Sequence, residues 1–267
     1  MIVFDASILQ QQVREVSERI KVEPLKASHR VALAHLRLLQ KEHAKALQQL
    51  QVACQIEPQW QTQAQMIRVL LRAELQRAAV FEGKIKPDLV SPPPVWLACM
   101  TEALKQAPEQ AAVLRAEAFE QAPESSGFVN ARTSFEWLND GDSRLGPVFE
   151  LITGGSYYWV PMCDVRRVEF LPVEQPTDLL WRGVKMSLKN TLVVDRFCHM
   201  PMRYPDYPGG VLSQGMETEW LSSNAGLEEW FGVGQRLWFT ETNEHAMADV
   251  CVIEFMESDI GSSAHAS

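Results

Sequence analysis

The stretch Phe135–Phe170, FEWLNDGDSRLGPVFELITGGSYYWVPMCDVRRVEF, divides the chain into two kinds of sequence. Two turn signals punctuate it, Asn139-Asp140-Gly141 and Gly154-Gly155, because glycine reaches backbone angles that other residues avoid. Before the stretch, apolar residues recur at helical spacing. After it, short β-branched and aromatic runs alternate with Pro, Gly, Asn and Asp. Large amphipathic side chains at such a change of architecture suit a seam between domains or a contact surface. The expected organisation is a helical domain over residues 1–125 and a strand-rich domain over residues 126–267.

On the helical side, Ser7 followed by Gln10 reads as a capping box for a helix through Ile20 that Pro24 stops. Ser28 reads as the N-cap of the next helix, which carries Val31, Leu33, Leu36 and Leu39. Ala46, Leu50, Ala53 and Pro58 then have the spacing of the second helix of a tetratricopeptide repeat, with Leu33 and Ala34 at the matching places in the first. One repeat is expected from about Ser28 to Trp60. A long helix from about Thr62 to Glu82 ends at Gly83. The loop from Lys84 to Pro94, with four prolines, is a poor place for regular structure. Helices resume over Trp96–Gln106 and Pro108–Gln121, although Arg115 stands where the repeat favours a bulky apolar residue. A short superhelix of this kind presents a groove suited to peptides or helices.

Beyond Gly155 the predicted strands are Tyr157–Pro161, Arg166–Leu171, Leu179–Leu188, Thr191–Arg196, Glu217–Leu221, Gln235–Thr240 and Val250–Met256, with Leu145–Ile152 as a short helix packed on them. Their lengths and spacing predict a mainly antiparallel, barrel-like sheet. The predicted fold class is therefore a multidomain α and β protein: a tetratricopeptide-like helical domain followed by a barrel-like α+β domain.

Charge is unevenly shared between the halves. Residues 1–125 hold 15 Lys and Arg against 14 Asp and Glu, whereas residues 126–267 hold 10 against 20, giving the net charge of −9. An acidic second half argues against nucleic acid, which needs clustered positive charge. The N-terminus carries acid where a signal peptide wants basic residues, and no apolar run is long enough to span a bilayer. The five cysteines are scattered, with no CxxC pair, and read as free thiols in a reducing cytoplasm.

The constellations that resemble chemistry have structural readings beside them. Asp140, Asp142 and Glu150 could be paired acids or metal ligands, but Asp140 and Asp142 also suit turn caps, with Arg144 pairing a neighbour. Cys198 and His199 suggest a nucleophile and base, but adjacent residues on a strand point to opposite faces and could not share a proton there. Gly232-Val233-Gly234 reads as a turn or bulge before a strand. His29, His35 and His43 do not align on a helical face and read as surface residues. Alternation puts Tyr157 and Trp159 on one face of their strand and Tyr158 on the other, so at least one large ring faces a seam or partner.

Several segments together resemble the ImpE/TagJ family of type VI secretion accessory proteins. They are Phe135-Glu136-Trp137 with Asp140, Asp142-Ser143-Arg144-Leu145-Gly146-Pro147, Tyr157-Tyr158-Trp159-Val160-Pro161, Val165-Arg166-Arg167-Val168, Arg203-Tyr204-Pro205, Glu217-Thr218-Glu219-Trp220 and Gly232-Val233-Gly234-Gln235-Arg236. The resemblance covers nearly the whole chain. It implies a cytoplasmic, non-enzymatic adaptor that binds the N-terminal helix of the small sheath subunit, TssB, and indirectly influences the ClpV ATPase, with no cofactor and no metal. Trp137, Asp140, Asp142, Arg144, Tyr157, Tyr158 and Trp159 are the expected seam or partner-contact residues. The alternatives are a general peptide-binding chaperone, or an enzyme with its site at the seam.

Overall fold

A computed structural model describes residues 6–189, 196–205, 217–223 and 228–257. Six α-helices come first: α1 (Ala6–Val22), α2 (Ala27–Leu39), α3 (His43–Ile56), α4 (Gln61–Phe81), α5 (Val95–Ala103) and α6 (Pro108–Gln121). Ala34, Ala46, Leu50 and Ala53 are fully buried where α2 and α3 pack together; small side chains there let two helices approach closely. Gly83, at φ +69°, closes the end of α4 in a conformation that suits glycine.

Several helical details differ from expectation. Helix α2 starts at Ala27 with Lys26 as its N-cap and no side-chain cap bond, so Ser28 lies inside the first turn. Ser7 likewise falls within α1. His35 is a buried residue, against which Gln63 packs at 3.3 Å, so it is not on the surface. Burial lowers its pKa.

Fourteen strands are described. Nine form one sheet: β1 (Asp88–Leu89), β2 (Gly127–Val129), β3 (Thr133–Phe135), β5 (Val148–Thr153), β6 (Ser156–Pro161), β7 (Val165–Phe170), β8 (Trp181–Leu188), β9 (Arg196–Pro201) and β14 (Val252–Phe255). Their order is β1-β6-β5-β9-β8-β7-β14-β2-β3, all antiparallel except β1 on β6. A second sheet joins β4 (Asn139–Asp140), β12 (Leu237–Phe239) and β13 (Glu244–Ala246), and a hairpin pairs β10 (Thr218–Ser222) with β11 (Trp230–Gly234).

The large sheet is sharply curled. Strands β5 and β14 are four positions apart, about 19 Å in a flat sheet, yet the rings of Phe149 and Phe255 lie 6.1 Å apart. Trp238 fills the concave side, edge-on to Phe149 at 5.7 Å. The curl does not close: β1 and β3 are free ends of the hydrogen-bonded order, so the barrel-like expectation is corrected to an open, mixed sheet.

Residues 148–152, expected as a helix, form β5 with every residue buried. Val148 and Ile152 pack toward the helices, while Phe149 and Leu151 pack into the concave core. A strand covered on both faces loses the polar alternation that marks strands in a sequence. The proline-rich loop contributes β1, and Gly232-Val233-Gly234 lies within strand β11 instead of forming a turn. The predicted strand Thr191–Arg196 falls at 190–195 outside the described residues, and Arg196 opens β9. The limits of the other predicted strands move by at most two residues.

The seam between helices and sheet as the candidate functional site

Helix α4 lies on β6, and the two are tied by polar groups under an apolar cover. Arg77 of α4 reaches Glu150 of β5 with two bonds, Nε to Oε1 at 2.6 Å and Nη2 to Oε2 at 3.0 Å, and donates a third to the carbonyl of Arg203 at 2.8 Å. Arg236 joins the same carboxylate to Asp140, its Nη1 lying 2.6 Å from Asp140 Oδ2. The Tyr157 hydroxyl donates to Glu150 and accepts from the Trp159 indole at 2.7 Å. All these side chains are buried, so each charge depends on its partners in place of water.

The two acids respond differently. Burial works to raise the Glu150 carboxyl, but Arg77 and Arg236 outweigh it and hold its pKa at about 2. Burial dominates at Asp140, where Arg236 opposes it and nearby Asp142 reinforces it, leaving the pKa at about 7.

Next to this chain, Asp142 builds a turn. Its backbone N–H donates to Asp140 Oδ1 at 2.9 Å, and its own carboxylate accepts from the Arg144 amide at 2.9 Å and Nε at 2.8 Å, and from the Gly232 amide at 3.0 Å. The Arg144 guanidinium lies 5.2 Å from the Phe81 ring of α4 and 4.9 Å from Phe231 of β11. Such placements over ring faces are attractive. Trp159 also meets Phe81, with centroids 6.2 Å apart, and the Tyr157 amide donates to Gln76 of α4 at 2.9 Å.

The sequence-named residues thus have distinct places. Asp140, Asp142, Arg144, Tyr157 and Trp159 converge on the helix-facing side of the sheet. Tyr158 points the other way and packs on the concave core. Trp137 is half-buried and, with Phe119, Pro123 and Pro147, lines a small hollow at the end of α6. The network also includes Arg77, Arg236 and, at a second tie, Arg115 of α6, which pairs with buried Glu229. Those partners are 73, 86 and 114 residues apart in sequence. Two signals in the sequence pointed to them: an acid inside the apolar run VFELI, and an arginine in an apolar slot of α6.

Above the network a cleft of about 570 Å³ opens between α4 and the sheet, with Phe81, Trp181 and Tyr204 as aromatic walls and Lys41, Glu74 and Arg203 among its polar groups. The Trp181 indole is held by Glu74 at 2.8 Å. A concavity of this size accepts several large side chains but not a whole helix. Among the described residues no cluster of three His, Cys, Asp or Glu is placed to hold a metal ion, and no helix is long and apolar enough to cross a membrane.

A helical array fastened to a curled open sheet through a sealed ionic seam defines a class of architecture shared with a solved structure. The crystal structure of VPA1032 from Vibrio parahaemolyticus superposes with a TM-score of 0.82, at 25% identity over 94% of each chain. The sequence model of the ImpE protein family matches residues 132–254, from just before β3 into β14. The chain is also 31% identical, over 95% of its length and 90% of the relative's, to the type VI secretion system accessory component TagJ of Pseudomonas aeruginosa strain PAO1. It belongs to the ImpE/TagJ family.

Proposed function

We propose that this protein is a non-enzymatic accessory adaptor of type VI secretion, working in the cytoplasm. Its partner is the N-terminal amphipathic helix of the small sheath subunit, TssB, and through it the protein influences ClpV-dependent sheath disassembly. The observation that carries the reading is the similarity to a named type VI accessory component over 95% of the chain. A binding role is supported by the seam itself. Asp140, Asp142 and Glu150 direct their oxygens to arginines, a tyrosine and backbone amides, a structural use that fastens two layers together.

The helical half is read as tetratricopeptide-like, supported by the buried Ala34, Ala46, Leu50 and Ala53 and by Pro58 at the end of α3. The cleft beside α4 supplies aromatic walls for the apolar face of a partner helix, at roughly 1.5–3 kcal/mol for each large side chain it buries.

Titration calorimetry of the purified protein with the TssB N-terminal peptide tests this. Saturable binding at tens of micromolar or tighter, lost when the peptide's apolar face is replaced by serine, supports it. No binding overturns it, and equal binding to unrelated amphipathic helices favours a general peptide chaperone.

A further inference from the structure

Two exposed helix faces on this molecule are complementary to each other. On α4, Arg68, Arg72 and Leu75 share the face turned away from the sheet, at spacings of four and three residues. Leu75 is 73% exposed, a high value for leucine on a long helix that buries its opposite side. On α6, Glu109, Val113, Glu117 and Glu120 form an exposed face of the opposite sign, with Val113 48% exposed.

Several other surface charges on or beside the helices have a partner close in sequence, as in Lys21–Glu18, Lys26–Glu23, Lys45–Glu42, Lys84–Glu82 and Lys105–Glu102. Among the described residues Arg68, Arg72, Glu109, Glu117 and Glu120 have no ion-pair partner within the chain. On these two faces the cations and the acids lie on different helices, each set beside an exposed apolar residue.

Their spacings also fit. With α4 and α6 antiparallel and Leu75 opposite Val113, one turn back along α4 brings Arg72 beside Glu117, and the next brings Arg68 beside Glu120. A parallel pairing through the same two apolar residues would bring Arg72 near Glu109 and Gln110 but set Arg68 against Gln106, so only the antiparallel pairing gives both arginines an acid. Charge pattern and direction agree on a single register, which is how ionic contacts fix orientation at an interface.

We propose that this face binds a second copy of the chain, α4 of one molecule packing antiparallel on α6 of another, with Leu75 on Val113 at the centre and the arginine–glutamate pairs around it. The contact uses the face of α4 opposite Arg77 and Phe81, so it leaves the seam cleft open. It stands independently of the sheath-binding reading.

The test is the mass of the full chain in solution, by sedimentation velocity and light scattering across concentration and salt. The wild type is expected to exceed its 30.2 kDa monomer mass at low ionic strength and to return towards it as salt screens the pairs. R68E/R72E and E117R/E120R are each expected to weaken association at least about tenfold, because like charges would face each other. Mixing the two variants in equal amounts should restore the assembly, since every contact in the mixed species pairs opposite charges. A wild type that stays monomeric at concentrations on the order of 10⁻⁴ M overturns the proposal. So does association that both charge-reversed variants retain, or a mixture that fails to co-assemble. Circular dichroism confirms that each variant is folded.

Discussion

Arg77 and Glu150 form a two-pronged ion pair across the seam, with neither side chain more than 6% exposed. The pair joins the last turns of α4 to the middle of β5, with the Phe81 ring beside the guanidinium and the Tyr157 hydroxyl on the carboxylate. Removing one partner of such a pair leaves a buried charge, which is more damaging than never having had the pair.

Arg77→Met should therefore lower stability by about 3–5 kcal/mol, even though methionine fills much of the same space. Urea denaturation followed by far-UV circular dichroism measures it. A loss within experimental error would mean that Arg236 alone satisfies Glu150, and that the α4 tie is dispensable.

The pH dependence of stability should carry the signature of Asp140. Its pKa of about 7 in the folded protein lies above the ordinary carboxyl value, so the folded state holds a proton that the unfolded state has released. Between about pH 4 and pH 7 this group's contribution to stability therefore falls as pH rises. Glu150 runs the other way, but its folded pKa of about 2 confines that change to more acidic solution. Buried His35 and half-buried His199, whose pKa values desolvation lowers, also favour folding as pH rises. The difference between Asp140→Asn and the wild type isolates Asp140: the variant should gain stability relative to the wild type steadily from pH 4.5 to 7.5. A constant difference across that range refutes the proton on Asp140.

Lys41 should be replaceable with profit to the fold. It sits at φ +60° after α2, where its amide bonds the Leu38 carbonyl at 2.9 Å and the Glu42 amide bonds the Arg37 carbonyl at 2.9 Å. This helix-ending arrangement favours glycine at the left-handed position. Lys41→Gly is expected to stabilise by about 0.5–1 kcal/mol, read as a raised thermal midpoint. Because Lys41 also lines the cleft, the same variant should bind the sheath peptide more weakly if its ammonium contributes to that contact.

At Gly232 the constraint is space. A Cβ there would overlap the ring of Tyr204, whose hydroxyl accepts from the Leu237 amide at 3.1 Å and donates to its carbonyl at 2.9 Å. Gly232→Ala should cost about 1–3 kcal/mol through this overpacking. Combining it with Tyr204→Leu should give much less than the sum of the two single losses, because the smaller side chain gives way. Additive losses would place the strain elsewhere.

The sequence by itself determined the helices and their order, because each has an apolar stripe and a proline or glycine near at least one end. It also determined the alternation that sends Tyr157 and Trp159 to one face and Tyr158 to the other. These are local properties, set by side-chain spacing along a few turns or pleats. Strand β5 was hidden because it is buried on both faces and so lacks alternation. Only the tertiary structure decided that the sheet curls without closing, since curvature is set by packing between β5, β14 and Trp238. Only it, too, paired Arg77 with Glu150, Arg236 with Asp140 and Arg115 with Glu229. A buried charge is stable only beside its partner, and here each partner comes from a distant part of the chain, where no local pattern can announce it.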